Sequence, residues 1–337
     1  MNNWQTFCIH HKGRFFAGLA VLTVLAALLS LSLGAVYVPP GEVLSALLGR
    51  MEGTPQAQIV WLARWPRLWG CLLAGAALAV SGAVIQGVLG NPLAAPNIIG
   101  VNAGAGLFTA LWGAFLPEAA LAPMAAFLGA LTGALLVLFI AERTGASKMT
   151  LVLAGVAVSG MFSAAIDAVV TFLPDALNGY SDFRIGGLKN LSMGRVLPAA
   201  WVVILALAAV LSLAGELDIL TLGAETARSL GLPAKPLRLV LLALAAALAG
   251  AAVSFAGLLG FVGLITPHMM RRLIGEESLP LIAASALGGA LLLTVCDLLA
   301  RTLFAPYELP VGIVLSLAGG PFFIWLLLRQ RGGRTHD

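Results

Sequence analysis

The chain has 337 residues, of which 60% are apolar and only 10% charged, and its mean hydropathy is +0.99. A soluble globular protein carries about 25% charged residues, so an ordinary soluble enzyme is excluded. A formal net charge of +4 and a pI near 9.3 fit the cytoplasmic loops of a membrane protein and not a nucleic-acid partner.

In chain order, His10, His11, Lys12 and Arg14 precede an apolar run that extends to Val38. That run is too long for a signal-peptide core and has no small-residue cleavage pattern, so it is expected to remain as a first membrane span. Runs of about 20 apolar residues cross roughly 30 Å of hydrocarbon. Ten such segments are predicted, at 15–38, 68–89, 98–116, 119–141, 149–173, 196–215, 237–258, 261–270, 280–303 and 309–328. The chain therefore reads as all-α and polytopic. A cytoplasmic N-terminus (1–14) leads into a single membrane domain (15–328), and a cytoplasmic tail (329–337) follows it. Glycine interrupts the third segment, and the eighth is too short to cross alone, so its backbone must be shielded or line a cavity. The 39 glycines include Gly100-x-x-x-Gly104 and Gly129-x-x-x-Gly133, spacings that let helices approach closely. Cys8, Cys71 and Cys296 have no pairing or metal-binding pattern and read as structural thiols.

With both termini inside, the inner regions hold 12 of the 19 basic residues and the outer regions 7, which favours that orientation. The outer connection 174–195 carries Pro174-Asp175, Asn178-Gly179 and Gly186-Gly187, the marks of a surface loop with room for a short helix. The inner connection 216–238 places Leu222, Ala227 and Leu230 near one helical face and Glu225 and Arg228 on another, with Gly223, Gly231 and Pro233 cutting it into short pieces. Composition alone allows it either to lie in the lipid interface or to dock into a soluble partner.

No lysine is followed by Ser or Thr, so the phosphate-binding loop of nucleotide hydrolases is absent. The histidines form no H-E-x-x-H pair, and no G-x-S-x-G elbow occurs. No metal or cofactor is expected on this chain. Few ionisable residues fall within the segments: Asp167, and Asp297 with Arg301, spaced i, i+4 so that they can pair. Such a set is short for an ion-coupled carrier, which favours energy supplied from elsewhere. His268, after Pro267, reads as a packing histidine.

Arg64-Trp-Pro-Arg67, the run Gly75 to Gln86, and Asn91-Pro-Leu-Ala-Ala-Pro96 with Gly100 and Gly104-Ala105 resemble the N-terminal signature of the FecCD-type permeases of ABC importers for iron-siderophore, haem and cobalamin. Gly260 to Arg271, Asp297 to Arg301, Glu308 to Gly312 and Gly320 to Phe323 resemble its C-terminal third, so the similarity covers about 15–328. Thr266 departs from the small apolar residue usual there, and Tyr180 to Gly187 follows the family's outer-loop pattern only loosely.

The resemblance implies the type II permease fold, a second permease subunit, a cytoplasmic ATPase dimer that uses ATP and Mg, and an external substrate-binding protein delivering a chelate, with iron-siderophore ranked ahead of haem and cobalamin. It implies that Arg64, Arg67 and Arg301 receive acidic residues of the binding protein. Lipid anchoring, or pairing of Arg301 with Asp297, is the alternative. It also implies an inner gate at Asn91, Leu93, Ser147 and Thr150, although Asn-Pro alone can make a turn. The coupling helix to the ATPase would use Leu222, Gly223, Ala224, Ala227, Leu230 and Gly231.

Overall fold

In a computed structural model of the chain, residues 11–51, 53–116, 121–144 and 148–331 are described. Cys8, Ser147 and the end of the tail lie outside them. Each of the ten expected segments corresponds to a helix. These are α1 (Lys12–Ser32), α3 (Pro55–Leu89), α4 (Val101–Phe115), α5 (Ala122–Arg143), α6 (Lys148–Phe172), α8 (Met193–Ser212), α11 (Ala234–Ala256), α12 (Val262–Ile274), α13 (Ser278–Thr302) and α14 (Val311–Arg331). Short helices α2 (Pro40–Leu47), α7 (Ala176–Ile185), α9 (Ala214–Thr221) and α10 (Ala224–Ser229) fill the connections. Among the described residues seven helices are long and apolar enough to span a membrane by themselves. At 13 residues α12 covers only about 20 Å, and its backbone is shielded by α3 and α13.

The second segment starts earlier than its hydropathy indicates. Thr54 accepts a hydrogen bond from the Ala57 amide, Pro55 opens the helix, and Ile59–Arg64 form a π-helical turn before regular α-helix continues to Leu89. Arg64 and Arg67 therefore lie inside α3 and not at its entrance. Gly90, with φ +59°, ends it.

Helix α3 is the hub. It packs on α13, α11, α12 and α8, and 78% of its apolar window is buried, against 28–33% for α1, α6 and α8, which lie at the periphery. Lipid provides no hydrophobic drive between helices, so association depends on close packing. Glycine supplies it here. A Cβ on Gly82 would fall 1.8 Å from the Gly263 carbonyl oxygen, and one on Gly75 would fall 2.2 Å from that of Gly289. The two Gly-x-x-x-Gly motifs face each other across α4 and α5, with Cβ positions at Gly104 and Gly133 only 2.1 and 2.4 Å from the oxygens of Gly129 and Gly100. Of the third segment's glycines it is Gly100 (φ +79°) that breaks the helix, after a 3-10 turn at Pro96–Ile99, and α4 runs on unbroken through the others. Cys71 and Cys296 are buried free thiols.

Candidate functional site

Along α3, Arg67 and Gln86 are separated by 19 residues, or about 28 Å, so the two ends of the helix mark two ends of the bundle. At the first end lies a buried knot of charge. The Arg67 Nε donates to both carboxylate oxygens of Asp297 at 3.0 Å, and its Nη1 donates to Glu308 Oε2 at 2.8 Å. Arg64, 5% exposed, donates to the carbonyls of Leu31 (2.5 Å) and Ser32 (2.9 Å) at the end of α1 and of Val36 in the loop beyond it. Arg301 donates to the Ser30 carbonyl and hydroxyl at 2.6 and 2.5 Å, and its Nε stands 3.6 Å from Asp297 Oδ2.

The expected i, i+4 pair is thus secondary. Asp297 serves mainly Arg67, and Arg301 anchors α13 to α1. Glu308, in the loop before α14, is the partner that no local spacing could reveal. All three arginines also line a cleft of about 390 Å³ with Lys189, Asn190, Ser192 and Glu308, and the knot as a whole sets three guanidiniums against two carboxylates.

Asp297→Asn should be costly, because it removes the better-buried acid from this excess of cation. Breaking one side of a buried pair costs about 3–5 kcal/mol. Thermal unfolding of the detergent-purified protein checks this. Asp297→Asn is expected to unfold well below Glu308→Gln, whose carboxylate is 25% exposed; equal midpoints would show that the knot does not hold the bundle.

The opposite end contains the loop after α3. Asn91 Oδ1 accepts a hydrogen bond from the Leu93 amide at 3.0 Å, so Asn91 makes a side-chain turn of the kind Asn-Pro favours. Leu93 borders a cavity of about 280 Å³ together with Pro96, Asn97, Asn102, Phe261 and Phe323. Thr150 lies in the first turn of α6.

In the connection 216–238 the expected face is rearranged. Leu222 and Leu230 are 67% and 60% exposed, while Ala227 is fully buried against the bundle. Glycines 223 and 231 adopt φ of +112° and +81°, and nothing stands within 4 Å of a Cβ at either. Their glycine identity follows from backbone conformation, with open space outside. Ala224 begins α10 and is partly buried.

Between the two ends, α6 turns Gly160, Ser163, Asp167 and Thr171 outward along one exposed stripe. Among the described residues Asp167 forms no ion pair. A carboxylate facing hydrocarbon costs roughly 2.5–3.5 kcal/mol or more, so this face suits water or a second protein and not lipid. Near its Thr171 end, burial pushes the Tyr180 phenol above its ordinary value, with Arg184 opposing and Asp167 adding to the shift.

His268 is buried edge-on to Phe322 at 6.3 Å between ring centres, and its Nε2 has no hydrogen-bond partner among the described residues. Thr266, also buried, leaves its hydroxyl unpartnered in the same way.

Comparison with known proteins gives a consistent result. Residues 22–329 match the FecCD transport family. The chain is 37% identical over 312 residues to an iron(III)-citrate import system permease of Bacillus subtilis (strain 168), covering 92% of this chain and 93% of that one. It is 39% identical over 287 residues to a hemin transport system permease of Yersinia pestis, covering 82% and 85%. A solved structure described as an inward-facing conformation of a metal-chelate type ABC transporter superimposes with a TM-score of 0.84 at 29% identity, over 94% of this chain and 99% of the other.

Proposed function

We propose a function that starts from one established point: the chain belongs to the FecCD transport family. It is a multi-pass membrane permease of the ABC importer type. From that base, the path is formed between this chain and a second permease subunit, either another copy or a paralogue, with the Asp167 stripe of α6 facing the lumen. That stripe carries the reading, because a charged residue on an otherwise apolar span needs a wet or protein-covered neighbour.

The cargo is an iron chelate of the siderophore class, as the iron(III)-citrate permease supports. The hemin permease favours haem as a second reading. A substrate-binding protein delivers the chelate at the end marked by Arg64, Arg67 and Arg301. Because all three arginines are already bonded within the chain, its acidic groups meet the cleft through Lys189 and the field of the excess cations. ATP and Mg act in a partner ATPase dimer docked on the 216–238 connection, so that end and both termini are cytoplasmic. Closure of the ATPases shifts the two-subunit bundle between outward-open and inward-open states.

The test is reconstitution with the candidate ATPase and binding protein. The cargo is first identified by mass spectrometry and absorbance of the purified binding protein. Uptake into vesicles should then require internal ATP and should weaken as salt screens the docking field. In intact cells, single cysteines at Asn178 and Ser229, in a background lacking native cysteines, should react with an impermeant thiol reagent at 178 only. Uptake driven by an ion gradient without ATP would refute the importer assembly, and labelling at 229 would reverse the orientation.

A further inference from the structure

The loop 91–96 and the connection 216–238 have to act in concert for the path to open on demand, and the structure holds one side chain suited to joining them. Gln86 lies in the last turn of α3 and is 2% exposed. Its Nε2 donates to the carbonyls of Ala94 and Gly263, each at 3.3 Å, while its Oε1 accepts from Arg271 Nη1 at 3.1 Å. A single amide thus ties α3 to the loop, to the start of α12 and to the far turn of α12. Leucine here would leave buried polar groups without partners, and a carboxylate would set two carbonyl oxygens against a third oxygen.

Arg271 continues the linkage. It shares a cleft of about 250 Å³ with Gln86, Asn91, Glu276, Leu217 and Thr221. The last two belong to α9, the first part of the 216–238 connection. On the same helix Asp218 Oδ1 accepts the amide of Ser278 at 2.8 Å, which fixes α9 to the first turn of α13. Helix α9 thus borders the same cleft as Arg271, its Leu217 packs on Gly87 beside Gln86, and among the described residues Gln86 is bonded both to that loop and to α12.

We propose that Gln86 is a positioning residue that holds the 91–96 loop in register with α12, so that displacement of the 216–238 connection reaches the loop through Arg271 and Gln86. The inference rests on the permease reading above. It distinguishes a transmitting role from a merely stabilising one, since a stabilising amide would change how much complex assembles and not whether the loop answers to nucleotide.

The experiment uses the complete complex with its ATPase partner, native cysteines replaced, and a cysteine at Leu93. Crosslinking between the two permease subunits is compared in the nucleotide-free and ATP-trapped states. With Gln86 in place, crosslinking should differ about tenfold between states, and with Gln86→Leu the difference should fall below about twofold, the scale expected from losing one buried polar contact. ATP hydrolysis by the assembled complex should persist. Arg271→Gln, which cuts the linkage from the other side, should have the same effect and serves if Gln86→Leu does not assemble. A nucleotide response preserved in either assembled variant overturns the proposal alone. No nucleotide response even with Gln86 in place overturns the gate reading and the proposal with it.

Discussion

Replacing Leu222 and Leu230 together by aspartate is expected to abolish ATP-driven uptake and to release the ATPase subunits during purification, with the permease still inserted. Both side chains stand out from the connection between α9 and α11 and are mostly exposed in their own chain. A fully buried leucine contributes about 1.5–3 kcal/mol, so the pair would contribute enough to change docking affinity by roughly two to four orders of magnitude. Lipid at the membrane surface is the competing occupant, and Leu222→Trp separates the two. A lipid interface accepts the larger ring, whereas a shaped groove on a protein does not. Co-purification of the ATPase with the aspartate variant would place the docking contact elsewhere, and the turn between α12 and α13 is the next site to substitute. Ala227→Asp is a poor probe of docking, because Ala227 faces the bundle and its substitution would disrupt the connection itself.

The second large effect is expected at Gly82. Even Gly82→Ala puts a methyl carbon 1.8 Å from a backbone oxygen of α12 and 2.7 Å from its neighbouring Cα, with no flexible side chain there to move aside. Overpacking in a well-packed core usually costs about 1–3 kcal/mol, and here a whole helix must shift, so Gly82→Val should leave little folded protein. Monodispersity of the solubilised permease on size exclusion measures this. Gly160→Ala is the control: nothing stands within 4 Å of its Cβ, and full yield is expected. If both variants elute alike, the seam between α3 and α12 is not what holds those helices together.

Much of this architecture is legible in the sequence, for reasons that particular residues make clear. Membrane solvent imposes long apolar runs, so the segments stand out, and the paired Gly-x-x-x-Gly motifs declare a close approach that α4 and α5 then make. Errors arise where a side chain is satisfied from far along the chain. Arg64 and Arg67 depress local hydropathy and so mark a false helix start, because their partners lie on α1, α13 and the loop before α14. Asp297 and Arg301 sit at pairing distance in sequence, yet each bonds first to another helix. Helical spacing alone groups Ala227 with Leu222 and Leu230, but Gly223 and Gly231 reset the backbone on either side of α10 and turn the two leucines outward. Gln86 lies within the family signature, but nothing in its spacing shows that it touches both Ala94 and Arg271.

The buried charge knot also sets an order of events during synthesis. Arg64 finds its acceptors on α1, 33 and 32 residues earlier in the chain, so it can be satisfied as soon as α3 emerges. Arg67 cannot, because Asp297 follows 230 residues later and Glu308 follows 241 residues later. At about 5–20 residues per second, the nascent chain carries that guanidinium without either acid for roughly 10 to 50 s. Until then Arg67 must be held by water, lipid headgroups or the insertion machinery, and a chain cut short before α13 would never be relieved of it. Closure of the bundle is in this sense a late event, completed only as the loop before α14 is made.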